Sequence, residues 1–244
     1  MPRFHCPSPL PVSGRFELPA NAAHHALRVL RLREGDAVEI FDGEGEARRG
    51  RIAEAGGKRV IIDQIAALNA TRESPLNSLL AQALCSSEKM DWIVQKATEL
   101  GVNEIQPLDT ERSVARLTPE RLAKRLEHWQ QVAISACEQC GRNHLPRIHA
   151  PLPLDHWLAA MQTSSVLRLA LLPQGTATLE SLTPPETGVT LLIGPEGGFS
   201  NTEADTILKS GFTSIRLGQR ILRTETAAIA GLTAAQIHWG DFNL

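Results

Sequence analysis

The sequence predicts an α/β protein, a parallel-sheet domain preceded by a small β-rich one. Val166 to Leu172 and Gly188 to Ile193 are continuous apolar runs, the pattern of strands covered on both faces. After residue 75 strand-like and helix-like segments alternate, whereas the first 70 residues read as short strands divided by glycine turns. A chain of 244 residues has room for both domains.

In order along the chain, Asn21 can cap a short helix in which Leu27 and Leu30 share one face and His24, Arg28 and Arg31 form a polar stripe on another. Such a stripe contacts phosphate or is simply a solvated face. Ala37 to Phe41 reads as a strand closed by the hairpin signal Asp42-Gly43-Glu44-Gly45; Arg51-Ile52 and Arg59 to Ile62 supply further strands around Gly56-Gly57. The polar stretch Ala70 to Pro75 reads as a linker. Ser78 to Leu84 is an apolar strand. A helix then runs from a cap at Ser86 or Ser87 to Leu100, with Gly101 in the stop position. Val102 to Leu108 is the next strand. Thr118-Pro119-Glu120 opens a long helix with Leu122, Leu126, Trp129, Ala133 and Cys137 on its apolar face. The tetrad Ser200-Asn201-Thr202-Glu203 has the form of a capping box, so a helix starts at Ser200. Thr213 to Leu217 is a strand, and an Ala-rich helix follows as far as about His238.

Composition excludes several classes. A hydrophobic share of 42%, with Gly and Pro spread without a period, is that of a globular protein. No apolar run reaches the ~20 residues of a membrane span, and the proline-broken start does not read as a signal peptide; a cytoplasmic location is expected. A net charge of −2 does not advertise nucleic-acid binding. In the first 75 residues, however, nearly every cation is Arg, whose planar fork suits phosphate. With ten aromatics and no Tyr, a base-stacking platform is not expected. Cys137 and Cys140 have C-x-x-C spacing but no second pair, so neither a metal nor a disulfide framework is expected and the thiols read as packing residues.

The specific chemistry lies where three late strands end. These turns are Pro173-Gln174-Gly175, Gly194-Pro195-Glu196-Gly197-Gly198, and Gly218-Gln219-Arg220-Ile221-Leu222-Arg223-Thr224-Glu225-Thr226. In open α/β sheets ligands bind beyond the carboxyl ends of strands, so the three turns should converge. Glycines let peptide groups approach a flat ligand, and the leucines and Ile221 offer apolar walls. Neither a dinucleotide fingerprint nor a P-loop is present. A purine held by main-chain hydrogen bonds fits this chemistry better than a polyphosphate does.

Gly194-Pro195-Glu196-Gly197-Gly198-Phe199-Ser200 and Leu217-Gly218-x-Arg220-Ile221-Leu222-Arg223-Thr224-Glu225-Thr226-Ala227 closely resemble the RsmE family, the small-subunit ribosomal RNA uridine-N3 methyltransferases of the SPOUT (trefoil-knot) superfamily. Gln95 to Val102, Thr110 to Ser113, Glu138 to Arg142, Arg3-Phe4, His24-His25, Val29 to Arg31 and Phe41 to Gly43 match as well, so the resemblance spans nearly the whole chain.

The resemblance implies a PUA-like, RNA-binding β-barrel over residues 1–72 and a knotted methyltransferase domain over 73–244. It also implies a homodimer acting on ribosomal RNA of the small subunit with S-adenosylmethionine as cofactor. Carried over by position, the donor sits against Leu171, Leu172 and Pro173 of the first turn and Gly194, Pro195, Gly197 and Gly198 of the second. Leu217, Gly218, Ile221, Leu222 and Thr224 of the third complete the set. RNA contacts are expected from Arg3, His24, Arg28, Arg31, Arg142 and Arg220.

Methylation at N3 requires loss of the imide proton. Arg223 is the candidate cation for the developing charge. Glu225 or Glu196 is the candidate acceptor, with Glu138 and Arg142 further out. A carboxylate in the first turn of a helix, as Glu225 is, also stabilises the helix dipole whether or not it catalyses. The rival readings are a SPOUT enzyme for another RNA and a non-catalytic ribosome-assembly factor.

Overall fold

Glycine turns divide the N-terminal third into strands, and in a computed structural model these pair into one sheet. The structure describes residues 1–69, 71–114, 119–161 and 166–242, which form two compact units. The first is Met1–Glu73 with Ile134–Leu145, and the second is Ser74–Ala133 with Pro146–Leu244. The sequence reading ran the second domain unbroken from residue 73; the contacts place Ile134–Leu145 in the first unit instead.

The first unit holds β1 (Arg3–His5), β2 (Phe16–Glu17), α1 (Ala20–His24), β3 (Ala37–Phe41), β4 (Ala47–Gly56) and β5 (Arg59–Ala67). Strand order is β1-β3-β4-β5-β2, parallel only between β1 and β3. Alternate residues Val38 and Ile40 of β3, Ile52 of β4, and Val60 and Ile62 of β5 meet Phe4 and the alanines of α1 in a buried core. The hairpin signal is realised: Asp42 accepts from the N–H groups of Glu44 (2.8 Å) and Glu46 (3.0 Å).

Asn21 does not cap α1. Pro19 holds the N-cap position, and the Asn21 side chain accepts from the Ala22 N–H within the first turn. The helix continues as a π-helical turn, His25–Val29, which rotates later side chains off the 3.6-residue spacing. Leu30 is therefore exposed while Leu27 packs on the core. Arg31 leaves the helix at φ +55°, so His24, Arg28 and Arg31 do not form one stripe.

The second unit contains β6 (Ser78–Ala83), α2 (Ser87–Glu99), β7 (Glu104–Asp109), α3 (Pro119–Cys140, whose last turns belong to the first unit), β8 (Arg147–Ile148), β9 (Leu152–Pro153) and α4 (Leu154–Ala160). It continues with β10 (Leu167–Leu171), β11 (Val189–Ile193), α5 (Asn201–Lys209), β12 (Thr213–Ile215) and α6 (Thr224–Trp239). Every pairing is parallel, in the order β12-β10-β11-β6-β7-β8 with β9 also on β7.

Alternation sorts the strand residues onto two faces. Leu80, Leu169 and Leu191 pack with Ile93, Val94 and Ala97 of α2 and Leu232 and Ala235 of α6. Ala81, Ala170 and Leu192 pack with Trp157 and Leu158 of α4 and Ile207 of α5. Covering on both faces is why β11 is buried throughout and reads as an unbroken apolar run.

Gly101 ends α2 at φ +84°, as its stop position requires. The capping box is present: Glu203 N–H donates to Ser200 Oγ (3.2 Å) and Ser200 N–H to Glu203 Oε2 (2.8 Å). β12 ends at Ile215, two residues earlier than expected. Thr118 lies outside the described residues. The two-residue strands and β1 carry no periodicity that the sequence reveals. Among the described residues no helix is long and apolar enough to cross a membrane, and no cluster of three or more His, Cys, Asp or Glu could hold a metal ion.

Candidate active site

The chain leaves β10, β11 and β12 at the same edge of the sheet, and the three turns meet there as parallel register requires. Leu171, Leu172 and Pro173 face Leu217, Arg220, Ile221 and Leu222 across a cleft closed below by Ile215 and Ala227. Close approach of the first and third turns depends on Gly175: a Cβ there would lie 2.4 Å from the Ile215 carbonyl carbon and oxygen. Pro195 to Gly198 forms a tight turn, with Gly198 N–H donating to the Pro195 carbonyl (2.9 Å) and Gly198 at φ +66°. Arg112 donates to the Gly197 carbonyl (3.0 Å).

Among the described residues the peptide groups of Leu217 to Leu222 have no hydrogen-bond partner. Six successive free peptide groups beside leucine walls are what a flat heterocycle with its own donors and acceptors requires. The cleft is about 130 Å³, below the ~300–1,000 Å³ of a complete small-molecule site. An adenosyl group fits these residues.

Thr224, expected to touch the donor, is buried and committed elsewhere. Its hydroxyl donates to the Gly194 carbonyl (2.6 Å) and accepts from Gln82 Nε2 (2.9 Å). It therefore ties the ends of β6 and β11 to the start of α6. Gly194 and Pro195 are not among the residues that line this cleft.

The two expected carboxylates share a cation that sequence reasoning missed. Lys89 Nζ lies 3.3 Å from Glu196 Oε1 and 3.4 Å from Glu225 Oε2. Burial alone would raise the Glu196 pKa, but its own backbone N–H, the Ser86 N–H and Lys89 outweigh it and hold the carboxyl below its usual range. Burial likewise disfavours the Lys89 ammonium, and the two carboxylates more than offset it. The Arg223 side chain is exposed and makes no hydrogen bond or ion pair among the described residues, while its carbonyl accepts from the Ala227 N–H (2.8 Å). Nothing local in the sequence pairs Lys89, Gln82 or Arg112 with this edge; tertiary folding does so.

Arg3 and Arg142 are corrected from RNA contacts to internal partners of the first unit. Arg3 pairs with Glu39 (2.9 Å), donates to Asn143 Oδ1 (2.8 Å) and lies over the Phe41 ring. Arg142, only 2% exposed, pairs with Glu73 (2.8 Å). Glu138 accepts from the His5 N–H, also within that unit. His24 and Arg28, by contrast, line a hollow of about 400 Å³ with Lys58. Arg31 and Arg220 are exposed. Cys137 packs with Phe41 and Ala47, its thiol kept protonated by its bond with Cys140 and by burial. A second hollow in the second unit is lined by Asp109, Glu111, Asp155 and Glu203, a charge that repels phosphodiesters.

A strand-end cleft of bare peptide groups in a parallel sheet, preceded by a β-rich unit, is the arrangement of an RNA methyltransferase. Residues 72–236 match the family described as RNA methyltransferase domain, and residues 18–65 match the RNA methyltransferase PUA domain. The chain belongs to the ribosomal RNA small subunit methyltransferase E family.

It is 35% identical over 242 residues to the family member of Buchnera aphidicola from Acyrthosiphon pisum, covering 99% of this chain and 95% of that one. With the Bacillus subtilis member identity is 31%, over 90% of this chain and 88% of that one. The Neisseria gonorrhoeae ribosomal RNA small subunit methyltransferase E, crystallised with S-adenosylmethionine, superposes with a TM-score of 0.93 at 38% identity over 99% of both chains. A Legionella pneumophila putative methyltransferase in complex with the same cofactor gives 0.92 at 38% identity over 98% of both chains.

Proposed function

We propose that the protein methylates N3 of a uridine in small-subunit ribosomal RNA, with S-adenosylmethionine as donor. The observation that carries this is the run of unpartnered peptide groups from Leu217 to Leu222 facing Leu171 and Leu172, chemistry suited to an adenine ring, in a chain whose relatives bind that donor. The donor supplies an electrophilic sulfonium methyl. Leu171, Leu172 and Leu222 would hold its ring and exclude water, and the peptide groups between Leu217 and Leu222 would offer it hydrogen bonds.

Arg223 is the unengaged guanidinium next to this wall, and it stabilises the negative charge that spreads onto the uracil oxygens as N3 loses its proton. The Glu196 carboxyl is held below its usual range, which makes it a poor proton acceptor. Glu225, in the first turn of α6, takes the proton. His24, Arg28 and Lys58 in the first unit, with Arg31 and Arg220, supply contacts to RNA phosphates. Ile221 is 88% exposed on the rim of the donor cleft, and cover for so apolar a side chain supports a homodimer. The substrate places the protein in the cytoplasm with the ribosome.

Two measurements on the full chain test the reading. Calorimetric titration with S-adenosylmethionine should give roughly micromolar affinity. Mass-spectrometric mapping of ribosomal RNA from cells with and without the protein should show one N3-methyluridine lost. No heat at millimolar donor, or identical maps, overturns it.

A further inference from the structure

The Glu225 carboxylate is held in an unusual way. Its Oε2 is shut off from solvent and makes no regular hydrogen bond among the described residues. Among the described residues the cation within ion-pair reach is Lys89, at 3.4 Å. The same ammonium lies 3.3 Å from Glu196 in the turn after β11. One lysine on the first turn of α2 thus joins the second of the three turns to the start of α6, the element that closes the third.

We propose that Lys89 is a positioning residue for methyl transfer: its ammonium, shared between Glu196 and Glu225, fixes both carboxylates and the two elements that carry them against the donor cleft. The inference rests on the reading of this cleft as the donor site.

The physical argument starts from repulsion. Both carboxylate oxygens lie within Lys89's reach, hence within about 7 Å of each other, in a part-buried site where like charges repel more than they do in bulk water. Without Lys89 the pair relieves that repulsion by separating or by taking up a proton. Separation carries α6 and the β11 turn with it. Proton uptake removes the acceptor that N3 needs.

The other titratable group facing this cluster is Cys85, whose thiol is pushed up to about 12 by burial and by the Glu196 charge. It stays neutral and cannot replace the ammonium. Thr224, next in the chain to Glu225, is separately anchored to Gly194 and Gln82. Loss of Lys89 should therefore loosen the carboxylates without unfolding the edge.

The test uses the full-length protein with Lys89→Met, Lys89→Gln and Lys89→Arg. Single-turnover methylation is followed from acid to alkaline pH beside calorimetric donor affinity and thermal unfolding. Lys89→Met is expected to slow the step at neutral pH by roughly tenfold or more, since small misplacements at a reacting centre have effects of that size or larger. It should also move the acid limb of the pH–rate profile upward, because the carboxylates lose the charge that favours their ionised form. Lys89→Arg should restore the profile.

If Lys89→Met folds poorly, Lys89→Gln, uncharged but able to donate, is read in the same way. A purely structural lysine would lower the unfolding temperature and leave the acid limb where it is in the wild type; that result, or an unchanged rate, overturns the proposal. Absence of donor binding by the wild type instead overturns the reading of the site, so the two failures are distinct.

Discussion

Thr224 Oγ1 donates to the Gly194 carbonyl at 2.6 Å, and the same oxygen accepts from Gln82. This one hydroxyl links the start of α6 to the turn after β11 without involving charge. Thr224→Val should leave a buried carbonyl without its donor and destabilise the protein by about 1–3 kcal/mol. Donor affinity should fall with it, because the cleft wall ends at Leu222, two residues upstream. Thr224→Ser should retain both properties. Chemical denaturation and calorimetry on the two variants check this; equal losses in Val and Ser would remove the hydroxyl from the account.

The Arg223 side chain is free of partners where Lys89 is shared between two, and that difference separates their roles. Arg223→Ala should reduce the single-turnover rate by roughly a hundredfold, the scale of one lost electrostatic stabiliser, with little change in donor affinity. Parallel losses of rate and affinity would show that Arg223 binds the donor rather than stabilising charge on the uracil.

Arg3 should behave as a structural residue. Its pair with Glu39 is about nine-tenths buried on both sides, and removing one partner of such a pair costs about 3–5 kcal/mol. Arg3→Ala is expected to lower stability by that order, while its folded fraction binds ribosomal RNA as the wild type does. Arg28→Ala should do the reverse. Filter binding with matched unfolding curves distinguishes them.

Glu73 gives the first unit an acid limb. Burial alone would raise its pKa, but Arg142 and the N–H groups of His144 and Asn143 outweigh it, so the folded value lies below the ordinary 4.5. Stabilisation from such a group is complete above the unfolded pKa and disappears as pH falls through the folded one. Wild-type stability should therefore drop steeply below about pH 4.5, and Glu73→Gln should be weaker at neutral pH but flatter in acid. Unfolding curves across that range test it, and identical slopes would exclude Glu73.

What the sequence made legible was local. Glycines and apolar runs announced the three strand ends because a tight turn and a doubly covered strand each leave a mark within a few residues. Lys89 left none, since a helix lysine looks the same whether it faces water or two carboxylates brought in by folding. Arg3 and Arg142 misled for a related reason: a guanidinium that suits phosphate suits a buried carboxylate equally well. The stripe from His24 to Arg31 failed because a π-helical turn, invisible in composition, intervened.

The first unit is built from two stretches of chain, Met1–Glu73 and Ile134–Leu145, the second of which brings Arg142 to Glu73 and Asn143 to Arg3. A gene fragment ending at the linker would encode all five strands yet leave Glu73 without Arg142 and Arg3 without its bond to Asn143. The RNA-reading module is therefore not a detachable cassette: it can be neither expressed alone nor grafted onto another enzyme unless a dozen residues of its neighbour's sequence travel with it.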